Sequence, residues 1–468
     1  MRSRVAQLGG RRPGLRAFKA ALLVSVLGSI GAAQAADTLT DAFVKAYQTN
    51  PQLAAQRASL RASDEDVSKA IAQWRPTITL NANYSEVDLK SKLDPNPAVK
   101  LVSHPWDAGV TASQTVFAGG RILAQRRQAD ARVQQGRALL QSTEQGVFVD
   151  TATAFMDTVR DEAVLKLNEQ NITLLQKQLD ASKARFEVGE ITRTDVAQSE
   201  AALARGQAAL IAAQASLKAS RLAYEHVVGE APGTLDAKVA VPPTPDSEES
   251  ARALGEQLSP KLVAARESEH ASGYAIDFAV GEMLPTVRVQ ASYDRLGGQQ
   301  SSPHATSDET VITGVVSWPL YQGGAEWANV RQAKELNSQA RLTVIDTQRS
   351  VDQVVSNAWE SLRAAKSSTV ANDSQVKAEQ LAFEGVQQEL EVGSRTTLDV
   401  LNEQQTLLNA QVALVRSHHD EIVAGYQLLA AVGKLTAKEL GLAVQLYDPS
   451  ENYEMQTWRP LGAATLDD

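Results

Sequence analysis

Apolar positions recur every seven residues along four long stretches of the chain. Leu165, Ile172, Leu179 and Phe186 mark the first, and Val196, Leu203, Leu210, Leu217 and Tyr224 the second. Val376, Phe383 and Leu390, then Val400, Leu407, Leu414 and Leu428, repeat the pattern. A strict seven-residue period on helices specifies left-handed supercoiling against a lateral neighbour. The pattern predicts helices over 120–188, 192–228, 324–392 and 396–432, of 69, 37, 69 and 37 residues. A helix of that longer size spans roughly 100 Å, and no globular interior can bury it, so it must pair laterally. The surfaces between are rich in Ala, Ser and Gln, small enough to admit a second neighbour. On the helices alone, a plain antiparallel coiled coil and a closed ring of helices fit equally well.

Ahead of each long helix the period changes. Helical stretches over 38–74 and 248–282 come first, of 37 and 35 residues. With the helices over 192–228 and 396–432, they total 74 and 72 residues, so two short helices laid end to end match one long helix. Alternating polar and apolar residues follow, as in Thr77-Ile-Thr-Leu-Asn-Ala-Asn-Tyr84 and Thr286-Val-Arg-Val-Gln-Ala-Ser-Tyr293. Four strands are expected, at about 76–90, 106–117, 286–294 and 311–321. Each is near the 9–11 residues a tilted strand needs to cross a bilayer, with one face for lipid and one for water. Trp106, Phe117, Trp318 and Tyr321 suit the membrane interfaces.

The chain is one unit written twice. Glu187–Asp195 reads EVGEITRTD and Glu391–Asp399 reads EVGSRTTLD, 204 positions on. Gly119-Gly120 and Gly323-Gly324 share that offset; upstream it becomes 209, as for Pro76-Thr77-Ile78 and Pro285-Thr286-Val287. The five extra residues of the first copy lie between Tyr84 and Gly119, where Asp94-Pro-Asn-Pro97 reads as a surface loop. Four strands cannot close a barrel, and an open sheet edge in lipid is prohibitively costly. The barrel is therefore expected to be shared. A cyclic trimer supplies about twelve strands, whereas a dimer's eight leave little lumen.

Composition narrows the setting. Residues 1–35 carry a basic head, the apolar run Ala20–Ile30 and Ala33-Gln34-Ala35, a small-x-small pattern that reads as a secretory signal peptide. Removing its six basic groups moves the net charge from −9 to −15, a poor balance for nucleic acid. The chain has no cysteine, which excludes disulfides and an acyl anchor on cysteine. No mature stretch has about 20 uninterrupted apolar residues, so a membrane-spanning helix is not expected. His418-His419 could suggest a metal site, but adjacent helical residues point about 100° apart. Gly119-Gly120 and Gly323-Gly324 lack a phosphate-loop pattern and fit strand-to-helix turns. No catalytic triad or carboxylate pair stands out, so no enzyme activity, metal or cofactor is expected. Only four methionines speak against soft-metal cargo.

The doubled phrase fits the tip of a helical hairpin. Gly189 and Gly393 suit the left-handed position past a helix end. Thr192 with Asp195, and Thr396 with Asp399, have capping-box spacing. Both tips are expected at the same end of a helical cylinder. Threefold symmetry would turn an inward Asp into an acidic ring, which favours cations. Arg193 and Arg395 lie close enough in sequence to bridge an Asp of a neighbouring hairpin.

On these two Val-Gly-x-x-Thr-x-x-Asp tips, the doubled strand hairpins before Gly-Gly, and the Val-Val-Gly and Ala-Val-Gly helix ends, residues 37–445 resemble the TolC-type outer-membrane efflux proteins. The resemblance implies a mainly α fold with a transmembrane β part: two repeats, 36–230 and 248–434, forming an α-helical barrel and a 12-stranded β-barrel in a homotrimer. It makes residues 36–468 one outer-membrane protein, with 231–247 and 435–468 as equatorial and C-terminal segments. It implies a cell outer membrane location with extension into the periplasm. Expected partners are outer-membrane lipid, a periplasmic adaptor (membrane fusion) protein and an inner-membrane ABC or proton-driven transporter. By the same resemblance Asp195 and Arg395 match residues that link neighbouring helices at a closed tip, and Asp399 matches the first of two acidic ring positions. The second position is Asn402, and a tyrosine often present before the second tip glycine is Leu390 here. The function expected is export across the periplasm and outer membrane, with type I protein secretion favoured and multidrug efflux the alternative. A periplasmic coiled-coil adaptor is the rival of another class; doubled hairpins and strand pairs favour the channel.

Overall fold

Two prolines set how the helices are laid out. In chain order the elements are α1 (Leu39–Thr49), α2 (Pro51–Ala72), β1 (Thr77–Tyr84), β2 (Val87–Ser91), β3 (Val99–Ser103), β4 (Trp106–Ala118), α3 (Arg121–Glu187), α4 (Arg193–Val228), α5 (Glu248–Leu258), α6 (Pro260–Gly281), β5 (Thr286–Gln299), β6 (Ser302–Ser317), α7 (Ala325–Glu391), α8 (Thr397–Ala431) and α9 (Glu451–Thr457). The computed structural model describes residues 36–91, 99–299, 302–463 and 465; the expected leader over 1–35 and the Asp94–Pro97 stretch lie outside them. Pro51 and Pro260 each open a helix, where a missing N–H costs nothing. The single helices expected over 38–74 and 248–282 are therefore each two. Asn50 caps the new start, accepting from the N–H groups of Gln52 at 2.9 Å and Leu53 at 3.3 Å.

The bend frees α2 to continue the line of α4. Thr49 Oγ1 donates to Val228 O at 2.7 Å and Asn50 Nδ2 to Val227 O at 3.0 Å, satisfying the last carbonyls of α4. The second repeat closes the same joint by close approach: a Cβ on Gly433 would stand 2.4 Å from Leu258 O. End-to-end stacking thus holds, but between α4 and α2 and between α8 and α6, with α1 and α5 turned aside. The stacked helices have 36 and 22 residues in the first repeat, against 67 for α3. The long helices carry both halves. One half is a row in the order α4–α3–α8–α7, the other α2–α3–α6–α7. Both rows are open, and their edge helices leave apolar side chains exposed: Ile211 and Leu222 on α4, and Leu342, Val370 and Leu381 on α7.

The sheet is open too, in the antiparallel order β1–β4–β5–β6. Residues directly opposite one another share a face, so the register shows which side chains stand together. Ile78, Ala112, Ala291 and Ile312 align across the four strands, as do Leu80, Val110, Tyr293 and Thr310. The alternate rows are Thr77, Ser113, Gln290 and Thr313, and Thr79, Thr111, Ser292 and Val311. One face is thus apolar and the other mostly polar. The apolar face is uncovered within the chain; Ile78, Leu80 and Ile312 are 74%, 76% and 76% exposed.

Three strand boundaries differ from expectation. The stretch 76–90 is split, and β2 pairs with β3 in a separate ribbon. β5 runs on to Gln299 and β6 starts at Ser302, because the outer ends are held by backbone pairing where the side-chain alternation has faded into polar residues. β6 stops at Ser317, since Pro319 has no N–H for a ladder. Trp318 instead donates its indole N–H to Met283 O at 3.1 Å.

The core sits at mid-length. Phe43 of α1 meets Phe148 of α3 and Tyr426 of α8 at centroid distances of 5.2 and 5.4 Å, and Phe155 lies 6.3 Å from Tyr224 of α4. Leu235, Leu435 and Leu442 close over this cluster. The C-terminal stretch, which lacks periodicity in sequence, folds α9 onto α2 and α3 through polar groups. Asn452 Nδ2 donates to Asp64 Oδ2 at 2.8 Å, Ser68 Oγ to Gln456 O at 3.0 Å and Tyr453 Oη to Asp130 Oδ1 at 2.9 Å.

Tipward of the aromatic cluster a charged network crosses three helices. Ser220 of α4 donates to Asp161 of α3 at 2.8 Å, and Arg160 pairs with Asp161 and Asp157. Asp157 Oδ1 lies 2.9 Å from His419 Nε2 of α8, an ion-pair contact not aligned as a hydrogen bond, and His419 Nδ1 lies 2.9 Å from Asp420. Burial pulls the His419 imidazole down, but Asp157 and Asp420 outweigh burial and the opposing Arg160, and its pKa ends above the ordinary value. A raised folded pKa gives stability that is complete below the unfolded pKa and is lost as pH rises through the folded one. His419→Gln is therefore expected to lower thermal stability by about 1–2 kcal/mol at pH 5. The gap from the parent should shrink as pH passes above ~7, in melting curves recorded across pH.

Candidate functional site

The two tips are built alike because the nine-residue phrase closes one helix end and caps the next helix start. In the first, Gly189 takes φ 82°, its N–H donates to Phe186 O at 2.9 Å, and the Glu190 N–H donates to Arg185 O at 2.9 Å. In the second, Gly393 takes φ 77°, with Leu390 O at 3.1 Å and Ser394 N–H to Glu389 O at 2.9 Å. This pair of bonds is the Schellman closure, and its left-handed residue favours glycine. The next helix starts at once. Asp195 Oδ2 accepts from the Thr192 N–H and Oγ1, both at 2.8 Å; Asp399 Oδ2 accepts from the Thr396 N–H at 2.9 Å and Oγ1 at 2.8 Å. Both capping boxes are complete. Hydrogen bonds from the Thr192 side chain and backbone hold the Asp195 carboxyl below its ordinary pKa; the Thr396 backbone and side chain do the same for Asp399. Both are anionic at neutral pH.

The cations are placed differently from each other. Arg395 is exposed and pairs with Glu389 of its own hairpin, Nε to Oε2 at 2.7 Å, which raises its pKa further. Within one chain it does not pair with Asp195. Arg193 is exposed and makes no ion pair among the described residues. Asn402 is exposed on the first turns of α8. Glu389 carries no signal in the repeated phrase, because it lies in the turn of helix just before it. Glu403 is a second acidic group that the motif does not mark; burial and the nearby Glu379 of α7 raise its pKa.

The hairpins meet through buried polar groups here. Gln404 Nε2 of α8 donates to Asn171 Oδ1 of α3 at 2.7 Å. Within the first hairpin Ser182 and Ser199 hydroxyls lie 3.0 Å apart. Gly206 faces Leu175 and Ile172 so closely that a Cβ would stand 2.8 Å from Leu175 Cδ1. The heptads are followed only in part: Leu179, Phe383, Val400 and Leu407 are buried, while Phe186 at the tip is 44% exposed. A cleft of about 120 Å³ lies between the hairpins, bounded by Asn171, Gln198, Arg205, Leu401, Asn402 and Gln405. His418 is exposed, His419 serves the α3–α8 ion pair, and no metal-binding cluster occurs among the described residues. The glycine pairs are strand-to-helix turns, Gly120 and Gly324 opening α3 and α7 at φ 81° and 87°.

Comparison with known proteins agrees with this layout. A family model described as outer membrane efflux protein matches residues 43–230 and 254–434, one block per repeat. The outer membrane efflux protein BepC of Brucella suis is 37% identical over 448 residues, covering 96% of each chain. The outer membrane protein TolC of Vibrio cholerae is 26% identical, over 89% of this chain and 95% of its own. Among solved structures, the Campylobacter jejuni CmeC outer membrane channel superposes with a TM-score of 0.77 at 14% identity, over 90% of this chain and 89% of its own. The chain therefore belongs to the outer membrane efflux protein family and is a TolC-type channel of the cell outer membrane, neither an enzyme nor a periplasmic adaptor.

Proposed function

We propose that three copies of the chain assemble into one duct, with a shared barrel of about twelve strands in the outer membrane and a shared tube of helices in the periplasm. The observation that carries this is the incompleteness of the single chain: a four-stranded sheet with one apolar face, free edges at β1 and β6, and helical rows open on both sides. β1, β4, β5 and β6 are the membrane-spanning strands, residues 36–468 are the mature body, and residues 1–35 are the export leader. A periplasmic adaptor and an inner-membrane transporter, ABC-type or proton-driven, dock the duct and select the cargo.

For cargo we favour polypeptide, exported by type I secretion. Two relatives at 25% and 24% identity are named for protease secretion, the proteases secretion protein PrtF of Dickeya chrysanthemi and the alkaline protease secretion protein AprF of Pseudomonas aeruginosa. Multidrug efflux is the second reading; the 37% identical Brucella relative is named an outer membrane efflux protein. Deletion of the gene followed by parallel measurement of the secreted proteome and of drug sensitivity separates them. Loss of specific secreted proteins is expected. Hypersensitivity alone moves the assignment to drug efflux, and a defect in neither overturns the export role.

The tips form the periplasmic gate in this reading. Asp195 and Asp399 anchor their helix starts and present charge; Arg193 and Arg395 supply the links between hairpins. Asn402 leaves the second ring neutral, so the gate is held more by links than by stacked acidic rings. Asp195→Ala and Arg395→Ala are each expected to raise single-channel conductance in planar bilayers by severalfold. Unchanged conductance in both leaves these residues with capping alone.

A further inference from the structure

We infer that the end of the C-terminal helix is a membrane anchor, with Trp458 and Leu461 seated in the headgroup region of the bilayer at the foot of the sheet. The inference rests on the lipid-facing sheet proposed above. α9 runs alongside α2 in the same direction. Asn452 reaches Arg61 O and Asp64, Gln456 O accepts from Ser68, and Thr457 O accepts from Arg75 at 3.4 Å. Arg75 stands two residues before β1 begins at Thr77. The helix therefore climbs towards the strands and delivers Trp458 where they start.

What it delivers is apolar and uncovered. Met455, Trp458 and Leu461 are 45%, 70% and 84% exposed, although the other face of α9 is buried through Asn452, Gln456 and Thr457. The apolar surface continues upwards. Tyr453 seats on Asp130 and under Arg137 of α3, and Leu123, seven residues above Asp130 on the same stripe, is exposed. Phe117, which ends β4, and Trp74, just before β1, are exposed at the foot of the sheet, with Trp318 and Tyr321 at the foot of the second hairpin. An exposed tryptophan continuous with a lipid-facing belt matches the aromatic girdle of an interface, where the ring lies in the apolar region and the indole N–H stays wet. The chain has no cysteine to carry an acyl anchor, and a docked helix bearing apolar side chains supplies interfacial attachment by other means.

The absence of cysteine also makes the test clean. Single substitutions Leu461→Cys, Leu80→Cys and Ser394→Cys in the full chain, spin-labelled and reconstituted in phosphatidylcholine vesicles, are compared for collision with oxygen and with a water-soluble nickel chelate. The Leu461 label is expected to prefer oxygen severalfold, as does the Leu80 label on the sheet, while the Ser394 label at the tip prefers the chelate. A Leu461 label that behaves like Ser394 overturns the anchor while the Leu80 label still reports lipid. A Leu461 label shielded from both quenchers means that a neighbouring copy covers this surface, which also overturns it. A Leu80 label that meets water removes the lipid-facing sheet itself.

Discussion

Hydrocarbon offers no partner to a backbone amide, and each unpaired group there costs several kcal/mol. That constraint governs this chain. Its sheet has two free edges, β1 of 8 residues and β6 of 16, beside an apolar face that only lipid suits. In the proposed assembly, closure with further copies would satisfy both edges together. The helices would then inherit the ring because they are tied to the strands. A Cβ on Gly119 would stand 2.5 Å from Gly281 O and 2.7 Å from Leu284 Cβ. The strand-to-helix turn of one repeat is thus wedged against the helix-to-strand turn of the next, so curvature of the proposed barrel would be passed to the rows below.

Along the axis the cohesion changes in kind. At mid-length it is aromatic: Tyr224, Phe148 and Phe155 are almost fully buried, and both connecting segments fold over them. Towards the tips a smaller apolar cluster, Phe383 with Val400 and Leu407, is joined by hydroxyls and amides, Ser182 with Ser199 and Asn171 with Gln404. Burial of large apolar surface gives adhesion in proportion to area, whereas a buried amide pair nets little but is costly to leave unmade. The middle is therefore held firmly. The tip halves carry less of that adhesion and are held in register by their polar pairs.

Most of this was legible in the sequence, for reasons that can be named. A phrase repeated at one offset reports a repeated local task, and the Gly–Thr–Asp spacing states that task almost completely: left-handed turn, cap, reciprocal cap. The heptads identified the helices but not their neighbours, since Phe186 keeps the period and still meets solvent. Asn50-Pro51 and Ser259-Pro260 also lie 209 positions apart, yet the break at Asn50-Pro51 is settled by what receives it, the terminal carbonyls of α4. α9 was hidden because its binding face is Asn, Gln and Thr, residues that no hydrophobic period can mark. The His419–Asp157 contact was hidden for a related reason: its partners lie 262 positions apart and belong to different repeats, so no local spacing encodes it.

Such cross-repeat contacts bear on how the tip works. Arg395 is satisfied by Glu389 within its own hairpin, on an exposed surface where solvent and salt screen an ion pair to little net worth. A link from Arg395 to an acidic group of another hairpin would then exchange one weak carboxylate partner for another, rather than break a strong bond. Two arrangements separated by so little are easily biased by a docked partner. Asp195 and Asp399 differ from Glu389 in this respect. Their carboxylates already receive two hydrogen bonds each from the cap, so either can accept an arginine through its remaining lone pairs without releasing the helix start. The same atom set can therefore serve open and closed tips, with the helix ends intact in both.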